Sequence, residues 1–315
     1  MRLKKLGNTS LETAPIVIGA NVFGWTVDEE TSFDILDRVM DLGFNTIDTA
    51  DMYSRWASGN EGGESETIIG KWMKSRHNRD QVNIITKVGS DVGQGQKDIS
   101  EAYILQAVEK SLKRLQVDHI DLYLTHFDDD RTPVEETMGA YDKLVTQGKV
   151  RYVGASNLSP ARLQASLDAS AQHHFPRYQV FQPEYNLYNR KGFENGVSQI
   201  CQRENIGVIS YFSLASGFLT GKYRSKADFG KSVRGGSMGK YLDERGLRIL
   251  KALDEISEKY ETSQAAVALA WLIHSPLVTA PIASASKVSH LEAFHAAATL
   301  KLTIADIEQL NRAST

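Results

Sequence analysis

The sequence predicts one α/β domain over residues 1–315, a single (β/α)8 barrel of the TIM-barrel architecture with an N-terminal β-hairpin. Three observations carry that prediction. Short apolar or β-branched runs alternate with helix-period segments from Ile16 to Ile282, the pattern of strand and crossover helix. Four runs end in chemistry-bearing segments, Ile47-Asp48-Thr49-Ala50-Asp51-Met52-Tyr53, Thr86-Lys87, Leu124-Thr125-His126 and Gly154-Ala155-Ser156-Asn157. Asp48, Lys87, His126 and Asn157 are successively 39, 39 and 31 residues apart, about the length of one strand, one helix and two loops. Finally, 315 residues would hold two average domains, but barrels of this class commonly run that long as one unit.

Taken in order, Leu3 to Leu11, broken by Gly7-Asn8-Thr9, reads as a hairpin placed to plug the lower mouth of the barrel. Strands are expected at 16–19, 44–48, 82–87, 120–126, 150–156, 180–182, 208–211 and 279–282, each a compact apolar run. Helical periodicity falls at 29–42, 65–75, 100–115, 134–147, 160–171, 197–204, 244–260 and 288–297. Thr132-Pro133 before Val134-Glu135-Glu136, and Ser159-Pro160 before Ala161, are helix start signals. Tyr223 to Arg245, rich in Gly, Ser, Lys and Arg, reads as a mobile loop after the seventh strand, either a lid over a ligand or a plain insertion.

Composition narrows the function classes. Hydrophobic content of 41% and charged content of 24% allow a large core without metals or disulfides. A net charge of -3 and the lack of any like-charge block argue against nucleic acid as partner. The single cysteine, Cys201, permits no disulfide framework and no thiolate zinc set. The N-terminal segment lacks the apolar stretch of a signal peptide, and no run reaches the ~20 apolar residues of a membrane span. A cytoplasmic protein is expected.

The residues closing the strands carry the chemistry. Strand ends of such a barrel share one rim, so Asp48, Lys87 and His126 meet there, with Tyr53 on the loop just above. Singly, each has an ordinary explanation: a cap, a solvated lysine, a core tyrosine, a satisfied histidine. Together they supply a carboxylate, an ammonium, a phenol and an imidazole, the parts of a tuned proton donor. A phenol titrates near 10 unaided, and a neighbouring ammonium is expected to depress that value while the carboxylate keeps the ammonium charged. His126 would orient a carbonyl oxygen. No Gly-x-Ser-x-Gly nucleophile elbow is present. No clustered His, Cys or carboxylate suggests a metal, and Asp128-Asp129-Asp130 reads as a solvated acidic loop.

At these residues the chain resembles the aldo-keto reductases, over about Gly7 to Leu310. Gly43-Phe44-Asn45-Thr46-Ile47-Asp48-Thr49-Ala50 through Tyr53, then Gly63-Glu64-Ser65-Glu66 and Gly70, carry the likeness. The resemblance implies NADPH as cofactor, Tyr53 as general acid, Asp48 and Lys87 as its tuners, and His126 as the carbonyl-orienting group. It implies that Ser156, Asn157 and Gln182 hold the nicotinamide carboxamide and that Tyr211 stacks on its ring. Phe212, Leu214, Ser216, Gly217 and Lys222 resemble the segment that wraps the pyrophosphate, with Arg234 closing over it. The family's usual Ser-Pro-Leu reads Phe212-Ser213-Leu214 here, which removes one hydroxyl contact. Ser284, Ser286, Lys287 and His290 resemble the adenosine-phosphate segment, and Ser286 with Lys287 near a helix start favours NADPH over NADH. Ala293-Phe294 stand where the family commonly has Glu-Asn. Asn21, Trp25, Trp56 and Phe127 are expected to form an aromatic substrate pocket.

The expected activity is reduction of aldehydes or ketones, with a small-molecule carbonyl as substrate and a monomer or homo-oligomer as the assembly. The alternative is a cofactor-binding regulatory subunit of the potassium-channel beta type, which the strand-seven segment resembles. Those subunits carry Asn where this chain has His126, which favours the enzyme.

Overall fold

Strand pairing follows chain order with one closure. In the computed structural model, which describes residues 1–315, β1 (Lys4–Lys5) and β2 (Glu12–Thr13) form an antiparallel hairpin. The strands β3 (Val17–Gly19), β4 (Thr46–Asp48), β5 (Asn83–Val88), β6 (Ile120–Thr125), β7 (Val150–Ser156), β8 (Val180–Gln182), β9 (Gly207–Ser210) and β10 (Ala280–Ala283) are parallel neighbours. β10 returns to β3, closing an eight-stranded barrel.

Around it run α1 (Glu29–Asp41), α2 (Glu64–Arg76), α3 (Glu101–Leu115), α4 (Val134–Thr146), α5 (Pro160–His173), α6 (Lys191–Glu194), α7 (Val197–Arg203), α8 (Glu244–Lys259), α9 (Gln264–His274), α10 (Leu291–Thr299) and α11 (Ile304–Ser314). Caps set the starts: Ser100, Ser159 and Asp243 accept from backbone amides of α3, α5 and α8, satisfying donors the first turn leaves free.

Two apolar layers result. A cluster of 73 buried residues fills the space between strands and helices, and a second of ten fills the barrel itself. The inner set comprises Val17, Ile85, Leu122, Leu124, Val180, Ile209, Ala280 and Ile282, closed below by Leu6 and Leu11 of the hairpin. The hairpin therefore plugs the barrel as expected. Gly7 makes this possible, because its φ is +59° and a Cβ there would lie 2.2 Å from the Gln179 carbonyl oxygen.

Side chains alternate along a strand, so the residue two positions on shares the same face. Two beyond Ile85 is Lys87, and beyond Leu124 is His126. Val180 leads in the same way to Gln182, Ile209 to Tyr211, and Ile282 to Ser284. The chemistry-bearing residues thus form the upper layer of the barrel interior.

Three segments differ from expectation. α9 is apolar on every side, with Ala266 to Leu272 all buried, so it shows no amphipathic period. α11 begins at a Thr303–Asp306 capping box and ties its Asp306 to Lys259 at 2.7 Å. Tyr223 to Arg245 is an ordered strap. Short 3-10 turns at Lys226–Lys231 and Gly235–Tyr241 anchor it through buried Tyr223, Met238 and Tyr241. No helix is long and apolar enough to cross a membrane.

Candidate active site

β4 and β5 place Asp48 and Lys87 side by side, because Asp48 pairs in register with Ile85 and the Lys87 side chain rises from the next interior position. Lys87 is fully buried and Asp48 is 2% exposed. The Lys87 ammonium donates to Asp48 Oδ2 at 2.7 Å, to the Thr49 carbonyl at 2.7 Å and to the Tyr53 hydroxyl at 2.9 Å. Its three protons are thereby all used, which fixes its direction. Tyr53 Oη lies 3.4 Å from Asp48 Oδ2. The Tyr53 and His126 rings stand 6.1 Å apart at 75°, so phenol, ammonium, carboxylate and imidazole meet as expected.

Electrostatics differ from the sequence expectation in one respect. The Tyr53 phenol lies well above its ordinary range of 10. Burial is the main cause, joined by the charge and hydrogen bond of Asp48 and opposed by Arg234. Asp48 therefore outweighs the ammonium as an influence on the proton. Burial in turn pulls Lys87 below its usual 10.5, against the pull of Asp48, Asp51 and Glu66. The His126 imidazole is held well below 6.5, first by burial and then by Lys87, so it is neutral. Its Nδ1 contacts the Ser90 hydroxyl at 3.0 Å, and its ring stacks on Phe127 at 4.6 Å.

The amide-bearing residues are tied to the same cluster. Gln182 Nε2 donates to Asp48 Oδ1 at 2.8 Å. Ser156 Oγ donates to the Gln182 carbonyl at 2.8 Å. Asn157 donates to the His126 carbonyl at 3.0 Å and accepts from the Tyr211 hydroxyl at 2.8 Å. Burial lifts Tyr211 to about 12, so that hydroxyl is a steady donor.

All these groups line one cleft of about 1040 Å³, at the upper end of the volumes that small-molecule sites occupy, roughly 300–1,000 Å³. The cleft runs from Trp25, Trp56 and Phe127 at one end, past Tyr53 and His126, to Ser286, Lys287 and His290 at the other. Between them Phe212, Leu214, Ser216, Gly217 and Lys222 form its wall. Phe212, Ala215, Ser216 and Gly217 all have positive φ, between 47° and 100°. Such left-handed turns are the backbone geometry of anion-binding nests. Lys222 reaches over Gly217, with its Nζ 3.7 Å from where a Cβ would stand. The Ser213 hydroxyl turns inward to the Ser210 carbonyl at 3.0 Å, so it does not replace the hydroxyl missing at position 212.

Asn21 and Arg234 both line this cleft. Asn21 accepts from Ser284 at 2.7 Å, and the Arg234 guanidinium lies over the Trp25 ring at 5.1 Å. Three participants escaped the sequence reading: the Thr49 carbonyl, Ser90, and the bond from Gln182 to Asp48. Only Ser90, three residues after Lys87 on the same rim, carried a readable signal.

A buried acidic layer lies behind Lys87. Glu66 is bonded to Thr86 Oγ1 at 2.5 Å and to Arg114 at 2.6 Å. Both carboxyl oxygens of buried Asp51 lack a partner. Burial, then Glu66, pushes Asp51 well above the carboxylate range. No group of three or more His, Cys, Asp or Glu residues is placed to hold a metal ion.

Comparison with known proteins adds four findings. The model of the Aldo/keto reductase family matches residues 15–315. The chain is 35% identical over 298 residues to the "Uncharacterized oxidoreductase YrpG" of Bacillus subtilis, covering 92% of this chain and 89% of that protein. It is 32% identical to the "L-glyceraldehyde 3-phosphate reductase" of Escherichia coli, covering 93% and 86%, and 30% identical to the "Aldo-keto reductase yakc [NADP(+)]" of Schizosaccharomyces pombe, covering 98% and 90%.

Proposed function

This chain belongs to the aldo/keto reductase family of NAD(P)H-dependent oxidoreductases, and from that premise we propose that it reduces aldehydes or ketones with NADPH, using Tyr53 as the general acid. The observation that carries the reading is the Lys87 ammonium, held between Asp48 and the Tyr53 hydroxyl at 2.7 and 2.9 Å.

The residues present fit a dinucleotide. The left-handed turn at Ser216–Gly217 with Lys222 suits a pyrophosphate, and Ser286 with Lys287 before α10 suits a ribose phosphate. Ser156, Asn157 and Gln182 are neutral donors and acceptors, as a carboxamide requires. When bound, the reduced nicotinamide supplies hydride.

The remaining work falls to the chain. A phenol kept above its usual range stays protonated at neutral pH and is always loaded to give. As charge develops on the carbonyl oxygen, Tyr53 transfers its proton there, and the adjacent Lys87 ammonium stabilises the phenolate left behind. Asp48 and the Thr49 carbonyl keep that ammonium aimed. Neutral His126, with Ser90 donating to Nδ1, carries its proton on Nε2 and donates to the same carbonyl oxygen. Trp25, Trp56 and Phe127 shield the reacting centre from water.

Tyr53→Phe tests the reading. Turnover of an aldehyde with NADPH should fall by about 10²–10⁴-fold, while NADPH still quenches tryptophan fluorescence. Full activity in that variant refutes the acid role, and no quenching of the unmodified protein refutes cofactor binding.

A further inference from the structure

Glu66 is a fully buried carboxylate that the proton transfer described above does not use. It lies in the first turn of α2, where Oε1 accepts from Thr86 Oγ1 at 2.5 Å and Oε2 accepts from Arg114 Nε at 2.6 Å. Thr86 precedes Lys87 on β5 and points to the outer face of the barrel wall, because side chains alternate along a strand. Ser65, one residue earlier on α2, accepts from Thr49 Oγ1 at 2.8 Å. The Thr49 carbonyl in turn receives a Lys87 proton at 2.7 Å. The start of α2 therefore clasps both segments that direct the ammonium, Thr49 after β4 and Thr86 on β5.

Arg114 completes the clasp from the last turn of α3. It presses on two glycines of the α2 segment: a Cβ at Gly70 would lie 2.3 Å from the Arg114 carbonyl oxygen, and one at Gly63 would lie 2.4 Å from its Nε. A larger residue at either position would drive α3 or its guanidinium away from Glu66. Asp51 shares this layer, but both its oxygens lack a partner, and burial with the charge of Glu66 holds its proton on. Glu66 is thus the paired carboxylate behind the ends of β4 and β5.

We propose that Glu66, pinned by Arg114, is a positioning residue for Lys87, fixing with Ser65 the backbone that aims the ammonium and supplying negative charge that helps keep it protonated. This deepens the reductase reading above and rests on it, since the aim of Lys87 matters only while Tyr53 gives up a proton. A phenolate forming 2.9 Å from Lys87 needs that positive charge in place. Burial pulls Lys87 below its usual range, and Asp48, Asp51 and Glu66 oppose it, Asp51 joining only once it has lost its proton. Inside the barrel Lys87 otherwise faces Tyr53 and the neutral His126. Behind the wall Arg114 offsets part of the Glu66 charge, and burial keeps the Tyr103 and Tyr123 phenols protonated.

The experiment follows kcat against pH with NADPH and an aldehyde, together with KM for the aldehyde and the NADPH Kd from fluorescence, in full-length variants. Glu66→Gln keeps an acceptor for Thr86 and removes the charge. Its kcat at neutral pH should fall about 3- to 30-fold with KM and Kd nearly unchanged, and the alkaline limb should move about 0.5–1 pH unit toward neutral. Thr86→Val keeps the pair with Arg114 and cuts the clasp, so kcat should fall while the limb stays. Arg114→Lys should retain more kcat than Arg114→Met, and Asp51→Asn should move the limb less than Glu66→Gln does. Urea unfolding checks the fold of each variant. A folded Glu66→Gln with either kcat or the limb unchanged overturns the proposal and leaves Glu66 a brace of the fold alone. A limb that moves as far or farther in Asp51→Asn overturns it in favour of Asp51. Should Glu66→Gln not fold, Thr86→Val decides, and normal kcat there overturns the proposal. No oxidation of NADPH by the unmodified protein with any aldehyde defeats the reductase reading instead.

Discussion

Gln182 donates through Nε2 to Asp48 Oδ1 at 2.8 Å, joining β8 to β4 across the barrel mouth. Asp48 thereby divides its oxygens, one for the Lys87 ammonium and one for an amide on the cofactor side of the cleft. A charged acceptor with two donors is well satisfied, and loss of a hydrogen bond to a charged group costs about 1.5–3 kcal/mol. Gln182→Leu removes one donor and frees the Asp48 carboxylate to turn. We predict a fall in kcat of about tenfold or more together with a higher Kd for NADPH. Steady-state kinetics and fluorescence titration check both; a change in Kd alone would show that Asp48 is aimed without Gln182.

The Ser90 hydroxyl can donate to Nδ1 of His126 and so leave the ring proton on Nε2. The hydroxyl lies 3.0 Å from Nδ1, and only a proton on Nε2 serves a carbonyl above the ring. The buried imidazole is neutral, and Ser90 favours the Nε2 tautomer when it donates to Nδ1. Ser90→Ala should lower kcat/KM by about 3- to 30-fold, roughly 0.5–2 kcal/mol at the transition state, with little change in NADPH binding. An NMR measurement of the His126 nitrogen shifts would check the cause: a mixture of tautomers is expected in the variant.

The barrel was legible because its strands are short apolar runs closed by polar residues that gather at one rim. Asp48, Lys87 and His126 could be read in this way. Partners that depend on register across the barrel could not: no local pattern announces that Gln182 reaches Asp48, or that the Thr49 carbonyl receives the third proton of Lys87. α9 escaped because burial on all sides erases its period. α11 was readable from Thr303-x-x-Asp306 but lies beyond the last barrel element. The expected direction of the Tyr53 shift failed for a related reason. Burial depends on what the fold packs around the phenol, and sequence distance to Lys87 says nothing about it.

Choice between NADPH and NADH should reside in Ser286 and Lys287, which line the far end of the cleft just before α10. Lys287 is exposed and makes no ion pair in the structure, so it is free to meet a 2'-phosphate. Lys287→Ala should raise the Kd for NADPH by about 5- to 20-fold, on the order of 1–2 kcal/mol, and should leave the Kd for NADH nearly unchanged. Parallel fluorescence titrations decide it. An equal effect on both nucleotides would place Lys287 away from the 2' position.

Asp51 offers a stability test independent of activity. Its carboxyl is buried, both oxygens lack partners, and burial followed by the charge of Glu66 pushes its pKa well above the ordinary 3.8. The unfolded chain releases this proton near its ordinary value, whereas the folded chain retains it. Above 3.8 the native state therefore binds more protons than the unfolded one, so stability falls as pH rises until the raised folded value is passed. Asp51→Asn removes the titration while keeping the shape. Its stability relative to the unmodified protein should improve from pH 5 to pH 8, by at most about 1.4 kcal/mol per pH unit. Urea unfolding at both pH values measures this difference, and a difference that stays constant with pH would mean Asp51 is ionised in the folded barrel.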